Sequence, residues 1–536
     1  MRNAVRTIAA LLVFVLGSVA PAAPRPNVLL IVCDDLNDWI EPLGGHPQAH
    51  TPSLARFAER AVTFTNGHSN NPVCAPSRAS FLTGIYPHTS GNVFWDKWHE
   101  NPTLSNSKTM MRHFRDQGYT VVGAGKLMHH AKRDEWDEFR VGANLGPAAW
   151  DGQRRVGHPS VPEPFRSIGW IDGSFGSLHD VPFAGSSVDG AGWIDGAWGV
   201  TRPFRYNGPD DRGRVPDERI ADWAVGRLER FADEAGGPFF MALGFLRPHT
   251  PMYAPQEHFD LFPDVETTLR LDNDVADTHY NSHFSPEQKG RRYYRLISEA
   301  YGSSDEGLRA FSRAYLACVS FIDSQIGRVL DELERQGLAK NTVVVITSDH
   351  GFGIGEKSYL FKNAPWEEST RVPLFIRAPG VSVDGGRVSR PVSLIDVYPT
   401  LVDLCGLSTE TRKNASGAVL DGHTLRSLLV DPIQNEWAGP LAALTMVHAG
   451  ETAVRSLTAE EWQDPALQHW SLRTATHRYI RYNSGATELY DHRTDPNEWH
   501  NLAEKRAHAS VVERLDALLR EMIAPVELEP LTGSEP

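Results

Sequence analysis

Cysteine is scarce in this chain: Cys33, Cys74, Cys318 and Cys405 are the only four among 536 residues. None are spaced Cys-x-x-Cys, which excludes a disulfide scaffold and offers no zinc or redox pair. Long apolar runs are also missing. Residues 8–16 form an apolar stretch far shorter than the ~20 residues a bilayer-spanning helix needs. It follows Arg2 and Arg6 and precedes Ala20-Pro21-Ala22, the pattern of an export signal. Residues 1–22 are therefore expected to be a signal peptide. The mature chain is expected to be exported without stable membrane insertion, to the periplasm, the medium or, in a eukaryote, the lysosome. Positive charge is in deficit, with 53 Lys+Arg against 67 Asp+Glu and a net charge of −14. That balance argues against nucleic acid as a partner. An anionic ligand remains possible only where basic groups gather locally.

What the chain does have is a set of apolar runs that end in chemistry. "NVLLIVC" (27–33) is β-branched-rich and unbroken, as in a strand covered on both faces. Asp34 and Asp35 follow it. "NTVVVIT" (341–347) is followed by Ser348, Asp349 and His350, "YTVVGAG" (119–125) by Lys126 and His129, and "PFFMALGF" (238–245) by Arg247 and His249. Helical periodicity appears over 311–336, 52–60 and 108–117. Strands alternating with helices predict a doubly wound, mostly parallel α/β sheet with helices on both faces. Ligands bind such sheets beyond the carboxyl ends of the strands, where these polar residues fall. Residues 145–215 and 260–308 lack periodicity and read as loops. Beyond 432 the pattern changes to two antiparallel strands, 471–482 and 487–491, and a helix over 507–523. The expected division is a catalytic unit over 23–432 and a smaller α+β unit over 433–536.

Asp34, Asp35 and Asp349 at one edge would be costly unpaired, so a cation is expected, with calcium or magnesium favoured by oxygen ligation. Aspartate is also a common helix cap, and spacing alone leaves that reading open. "NPVCAPSRASFLTG" (71–84) is the second feature. Pro76 suits the first turn of a helix, which puts Cys74 near a helix N-terminus with Arg78 close by. From residues alone, Cys74 is either a buried thiol or a thiolate nucleophile.

"CAPSRASFLTG" resembles the signature of the sulfatases, formylglycine-dependent members of the alkaline-phosphatase-like superfamily. "PNVLLIVCDDL", "TSDHGFGIGEK" and "ELYDHRTDPNEWHNLA" are similar to the family's metal strand, second metal segment and C-terminal turn. The Lys-x-x-His of "GKLMHH", the histidine of "SDHG" and "RPHTP" look like the iduronate-2-sulfatase-like group. The resemblance implies an alkaline-phosphatase-like fold and an exported calcium enzyme. Its substrate would be a carbohydrate sulfate ester, conceivably a 2-O-sulfated uronic acid. Cys74 would be oxidised to formylglycine by a formylglycine-generating enzyme. Asp34, Asp35, Asp349, His350 and the modified Cys74 would bind Ca²⁺. Arg78, Lys126, His129, His249 and Lys362 would bind and turn over the sulfate. His249 is expected to act as acid and His129 as base, with the reverse left open.

Two other readings accompany it: a phosphate or phosphonate ester hydrolase of the same superfamily, and an inactive glycan-binding homologue. "VFWDKWHE" (93–100) could line a sugar pocket through Trp95, Trp98 and Lys97, or be ordinary loop packing. Asn414-Ala415-Ser416 is a glycosylation sequon, meaningful only in a eukaryotic host.

Overall fold

The computed structural model describes residues 25–180, 190–196, 201–234, 236–267, 275–433, 436–452, 458 and 461–531. The expected export signal lies outside the described residues. Among those described, no helix is long and apolar enough to cross a membrane.

The centre is an eight-stranded sheet. Its strands, in chain order, are β1 (Asn27–Asp34), β2 (Val62–Phe64), β3 (Thr120–Gly125), β4 (Glu138–Gly142), β5 (Phe239–Pro248), β6 (Thr342–Ser348), β7 (Leu374–Arg377) and β8 (Arg387–Val388). They lie in the order β8-β2-β7-β6-β1-β5-β3-β4. The run β6-β1-β5-β3-β4 is parallel, and β7 pairs antiparallel with both β6 and β2. This is the mostly parallel α/β architecture the sequence predicted.

The unbroken apolar runs are explained by burial on both faces. Leu29, Ile31 and Cys33 of β1 join one core, and Val28, Leu30 and Val32 join the other. Val344 and Ile346 of β6 alternate with Val343 and Val345 in the same way. Six helices matter here: α1 (Cys74–Thr83), α2 (Met110–Asp116), α3 (Pro216–Asp233), α4 (Lys289–Tyr301), α5 (Ser304–Arg335) and α6 (Ala509–Ile523). Helix α5 packs Tyr315, Cys318, Ile322 and Ile326 into the first core, and α1 packs Ala79, Phe81 and Leu82 into the second. Cys33, Cys318 and Cys405 are buried free thiols.

A second, four-stranded antiparallel sheet follows: β9 (Ala442–Val447), β10 (His469–Thr474), β11 (His477–Arg481) and β12 (Thr487–Asp491). The stretch 471–482, read as one strand, is two strands with a reversal at Ala475-Thr476, where no glycine or proline marked a turn. The stretch 260–308 is not all loop: α4 occupies 289–301, anchored by Tyr293 and Ile297. Its other residues are mostly polar, so its period was hard to see. Within 145–215, short strands form a small antiparallel sheet of their own.

Candidate active site

The site forms where β1, β3, β5 and β6 end. Successive strand residues point to opposite faces, so Asp34 and Asp35 would diverge if β1 ran on. Asp35 instead takes a left-handed conformation, φ 65°, and both carboxylates turn toward the same space. Its amide donates to Asp349 Oδ1 at 3.2 Å, tying the end of β1 to the end of β6. Strands β3 and β5 meet closely. Lys126 N donates to Gly244 O at 2.7 Å, and a Cβ on Gly244 would stand 2.0 Å from Lys126 O. Only glycine at 244 lets Lys126 take this position.

Cys74 opens α1, after an extended Val73. The free amides of this first turn explain why Pro76 is tolerated there. Ser77 Oγ donates to Asp349 O at 2.5 Å, and Ser69 Oγ donates to the same carbonyl at 2.8 Å. These hydroxyls pin the β6 end to α1, through Ser77, and to the segment that precedes it, through Ser69.

The charged groups interlock. Arg78, fully buried, donates Nε to Asp349 Oδ2 at 2.8 Å and Nη2 to Asp34 Oδ1 at 3.1 Å. Lys126 Nζ reaches Asp34 Oδ2 at 2.5 Å. Lys362 Nζ lies 2.8 Å from Asp35 Oδ1 and 3.0 Å from Cys74 Sγ. His350 Nε2 lies 3.2 Å from Cys74 Sγ. His249 Nε2 is 4.0 Å from Asp35 Oδ2, and its amide donates to Asp34 O. His129 is exposed beside these groups, its ring 4.8 Å from that of Trp95.

Burial raises Asp34, but Lys126, His249 and Arg78 outweigh it and hold this carboxyl well below its usual range. Burial dominates at Asp35 and pushes it up, even beside Lys362. Burial also pushes the Cys74 thiol up, with Lys126 and Lys362 only partly offsetting it. Burial thus works against an activated thiolate at this position.

The donor set fits a hard cation. Ligand atoms of Asp34, Asp35, Cys74 and His350 all lie within 4.8 Å of one another, and all four residues are buried. His350 Nδ1 sits 2.9 Å from Gly351 O and is the donor there. Nε2 faces Asp35 Oδ1 at 3.5 Å and Asp349 Oδ2 at 3.6 Å. A neutral imidazole would offer a lone pair there to a cation, and an imidazolium would itself be the positive partner of the carboxylates. Asp349 falls outside the mutually close four and borders them through that 3.6 Å approach.

Several supporting residues carried no sequence signal. Thr250 Oγ1 and Tyr293 Oη both donate to Asp172, at 2.9 and 2.8 Å, bracing the turn after His249. Asn363 follows Lys362 with φ 62° and exchanges hydrogen bonds with the backbone of His448. The Ser77 contact could have been sought, since Ser77 stands inside the conspicuous motif. Asp172 and His448 lie in segments with no motif.

Comparison with known proteins shows the family and the fold. The family described as Sulfatase matches residues 26–407, and that described as N-sulphoglucosamine sulphohydrolase, C-terminal, matches residues 355–525. The chain belongs to the sulfatase family and is a sulfuric ester hydrolase. A "Sulfatase" of Formosa agariphila is 32% identical over 503 residues, covering 92% of this chain and 86% of that one. The "Iduronate 2-sulfatase" of Mus musculus is 29% identical over 420 residues, covering 72% and 70%. A solved protein in complex with its substrate D-glucosamine-2-N,6-O-disulfate shares the fold, with a TM-score of 0.64 at 20% identity over 93% of this chain and 98% of that one. So does a phosphonate monoester hydrolase from Silicibacter pomeroyi, with a TM-score of 0.65 at 23% identity over 94% and 96%.

Proposed function

We propose that this sulfatase is an exported, calcium-dependent enzyme that hydrolyses a sulfate ester of a carbohydrate, using formylglycine made from Cys74. The carrying observation is the position of Cys74 Sγ, 3.0 Å from Lys362 Nζ and 3.2 Å from His350 Nε2. A nucleophile there would stand between an ammonium and a cluster of metal-type ligands. The catalytic unit would span 23–432 and the smaller α+β unit 433–536.

Asp34, Asp35, Asp349, His350 and the modified residue 74 would hold Ca²⁺, whose majority of oxygen donors suits a hard ion. When bound, the ion supplies positive charge to a sulfate oxygen, and the oxidised side chain supplies a hydrated aldehyde oxygen as nucleophile. The protein's own groups do the rest. Asp34, Asp35 and Asp349 face Arg78, Lys126 and Lys362, so their formal charges cancel. The ion's charge therefore remains in excess, and a sulfate monoester anion can be held inside an acidic protein. Lys126 and Lys362 would offer positive charge to the sulfate oxygens. His249 Nδ1 donates to Thr250 O at 2.5 Å, which directs Nε2 toward the site. We assign His249 to protonate the leaving sugar oxygen, which requires the imidazolium to form with the substrate anion bound, against the downward push of burial and Lys362, and His129 to remove a proton on the nucleophile's side. The opposite assignment would show in which variant spares aryl sulfates, whose leaving group needs no proton.

Glycan substrates are supported by the iduronate 2-sulfatase relative and by the disulfated glucosamine bound in a protein of the same fold. Hydrolysis of 4-nitrophenyl sulfate and 4-nitrophenyl phosphate, assayed side by side, tests the reaction class. Sulfate release lost in Cys74→Ala is expected, and equal turnover of both esters overturns the assignment. A panel of defined sulfated oligosaccharides then identifies the sugar. In protein from its native host, the Cys74 peptide should be lighter by about 18 Da if the aldehyde that supplies the nucleophile has formed. An unmodified peptide overturns maturation.

A further inference from the structure

We infer that an aromatic rim built from Trp95 and Trp462 is a carbohydrate subsite, holding the sugar ring next to the one that carries the sulfate ester. This rests on the glycan reading above and adds the residues that select an oligosaccharide over a small ester.

A single exposed apolar side chain needs no explanation, whereas several gathered at one surface can mark a binding site. Trp95 is 36% exposed and Trp462 39%. They are distant in sequence, yet they flank one buried stack. The Phe94 and His448 rings lie 3.8 Å apart with 6° between planes. Trp95 meets the Phe94 edge at 5.5 Å, and Trp462 meets it at 6.2 Å. Asp96 and Gln463, the residues after each tryptophan, hydrogen-bond to each other and join the two segments.

The rim is tied to the reacting groups at both ends. Trp95 packs 4.8 Å from the ring of His129. On the other side, Asn363 is bonded to the backbone of His448 at 3.1 Å in both directions and directly follows Lys362. A ring resting on Trp95 would therefore lie beside His129, while the buried His448–Asn363 bond fixes the stack beneath it relative to Lys362. Beside it lies a shallow cavity of about 370 Å³ lined by Asp96, Lys97, Asn101 and Gln463, among others.

The occupant follows from this chemistry. A pyranose has an apolar C–H face and a hydroxyl edge. Indole faces cover the first, and carboxylate and amide side chains bond the second. The same observations remove other members of the 93–100 segment. Trp98 is buried, with Nε1 donating to His130 O at 2.8 Å, so it is structural. Lys97 is paired with Glu100 at 2.9 Å and is not reserved for a ligand.

The test compares kcat/KM of the full-length enzyme and of Trp95→Ala, Trp462→Ala and Trp95→Phe. The substrates are 4-nitrophenyl sulfate and whichever sulfated tetrasaccharide the wild type hydrolyses best. The saccharide-to-aryl ratio of kcat/KM should fall about tenfold in either alanine variant, mainly through KM, the size of a modest hot spot. Trp95→Phe should restore most of it. An unchanged ratio, or equal losses on both esters through a disturbed His129, overturns the subsite and leaves the glycan reading standing. A wild type that cleaves the aryl sulfate and no sulfated saccharide overturns the glycan reading itself, and the subsite with it.

Discussion

Lys362 Nζ touches Cys74 Sγ at 3.0 Å and Asp35 Oδ1 at 2.8 Å, so one ammonium bridges the thiol proposed as nucleophile precursor and a carboxylate proposed as a metal ligand. Its pKa is held well above the usual lysine value: burial works against the charge, and Asp35 and Cys74 outweigh it. Lys362 therefore stays charged across the working pH range. Lys362→Ala should lower kcat/KM for an aryl sulfate by about 10²–10³, the usual loss of one preorganised charge. Lys362→Arg should not rescue it, because a planar fork cannot fill a gap shaped for a compact ammonium. Steady-state kinetics on folded protein reads both outcomes.

Metal removal should affect function more than folding. With Asp34, Asp35 and Asp349 already facing Arg78, Lys126 and Lys362, the site without an ion is neutral and internally bonded. Chelation should abolish sulfate release while the thermal transition survives. Calcium at about a hundredfold excess over its Kd should then raise stability by ~3 kcal/mol through mass action. Thermal melts with and without EDTA and added Ca²⁺, run beside activity, measure both. Activity that persists in EDTA after extensive dialysis counts against the ion.

Much of this site was legible because two-sided burial leaves a plain signature. Strands β1 and β6 could be read as runs, and the residues just past them fall where such sheets bind ligands. What could not be read was convergence. Nothing in "CDDL" announces the left-handed turn at Asp35 that brings two successive carboxylates together. The bracing of the turn after His249 by Asp172 and the approach of Trp95 and Trp462 to the same Phe94 ring depend on loops whose sequences carry no period. Helix α4 was overlooked because only Tyr293 and Ile297 of its large apolar side chains are buried, with Tyr294, Leu296, Ala300 and Tyr301 packed in part, and 471–482 read as one strand because its reversal lacks turn residues.

The C-terminal sheet is locked to the catalytic segment through Arg478. This fully buried guanidinium bonds Glu498 and Glu367, the carbonyl of Pro365 at 3.1 Å and Ser471 Oγ at 2.5 Å. Pro365 and Glu367 lie only a few residues beyond Lys362. Arg478→Met removes the central cation and leaves Glu367 with Arg473 and Glu498 with His492 as their remaining partners, so the cost should fall at or somewhat below the ~3 kcal/mol lower end for a broken buried pair. Adding Glu498→Gln should recover part of that loss. Urea unfolding of the single and double variants decides this, and a single variant within 1 kcal/mol of wild type (roughly the value of an exposed pair) would show the network to be incidental.

Acid sensitivity should be traceable to His113. This imidazole on α2 is fully buried, and neither ring nitrogen has a hydrogen-bond partner. Burial first, then the Lys108 ammonium, pushes its pKa down to about 4, with Asp116 pulling weakly the other way. In the unfolded chain the same group titrates near 6.5. Between those values the unfolded state holds an extra proton, so stability falls as the solution is acidified. The contribution is complete above about pH 6.5 and is lost on descending to about pH 4, at ~1.4 kcal/mol per pH unit and ~3 kcal/mol in all. His113→Leu removes the titrating group without changing the apolar setting beside Tyr398. Stability measured by urea titration from pH 4.5 to 7 should therefore depend less steeply on pH in the variant. His88 and His448, also pushed down to about 4 by burial, keep their share of the slope in both proteins, so the difference between the two curves isolates His113. Superimposable slopes would mean that His113 is as easily protonated in the folded protein as in water.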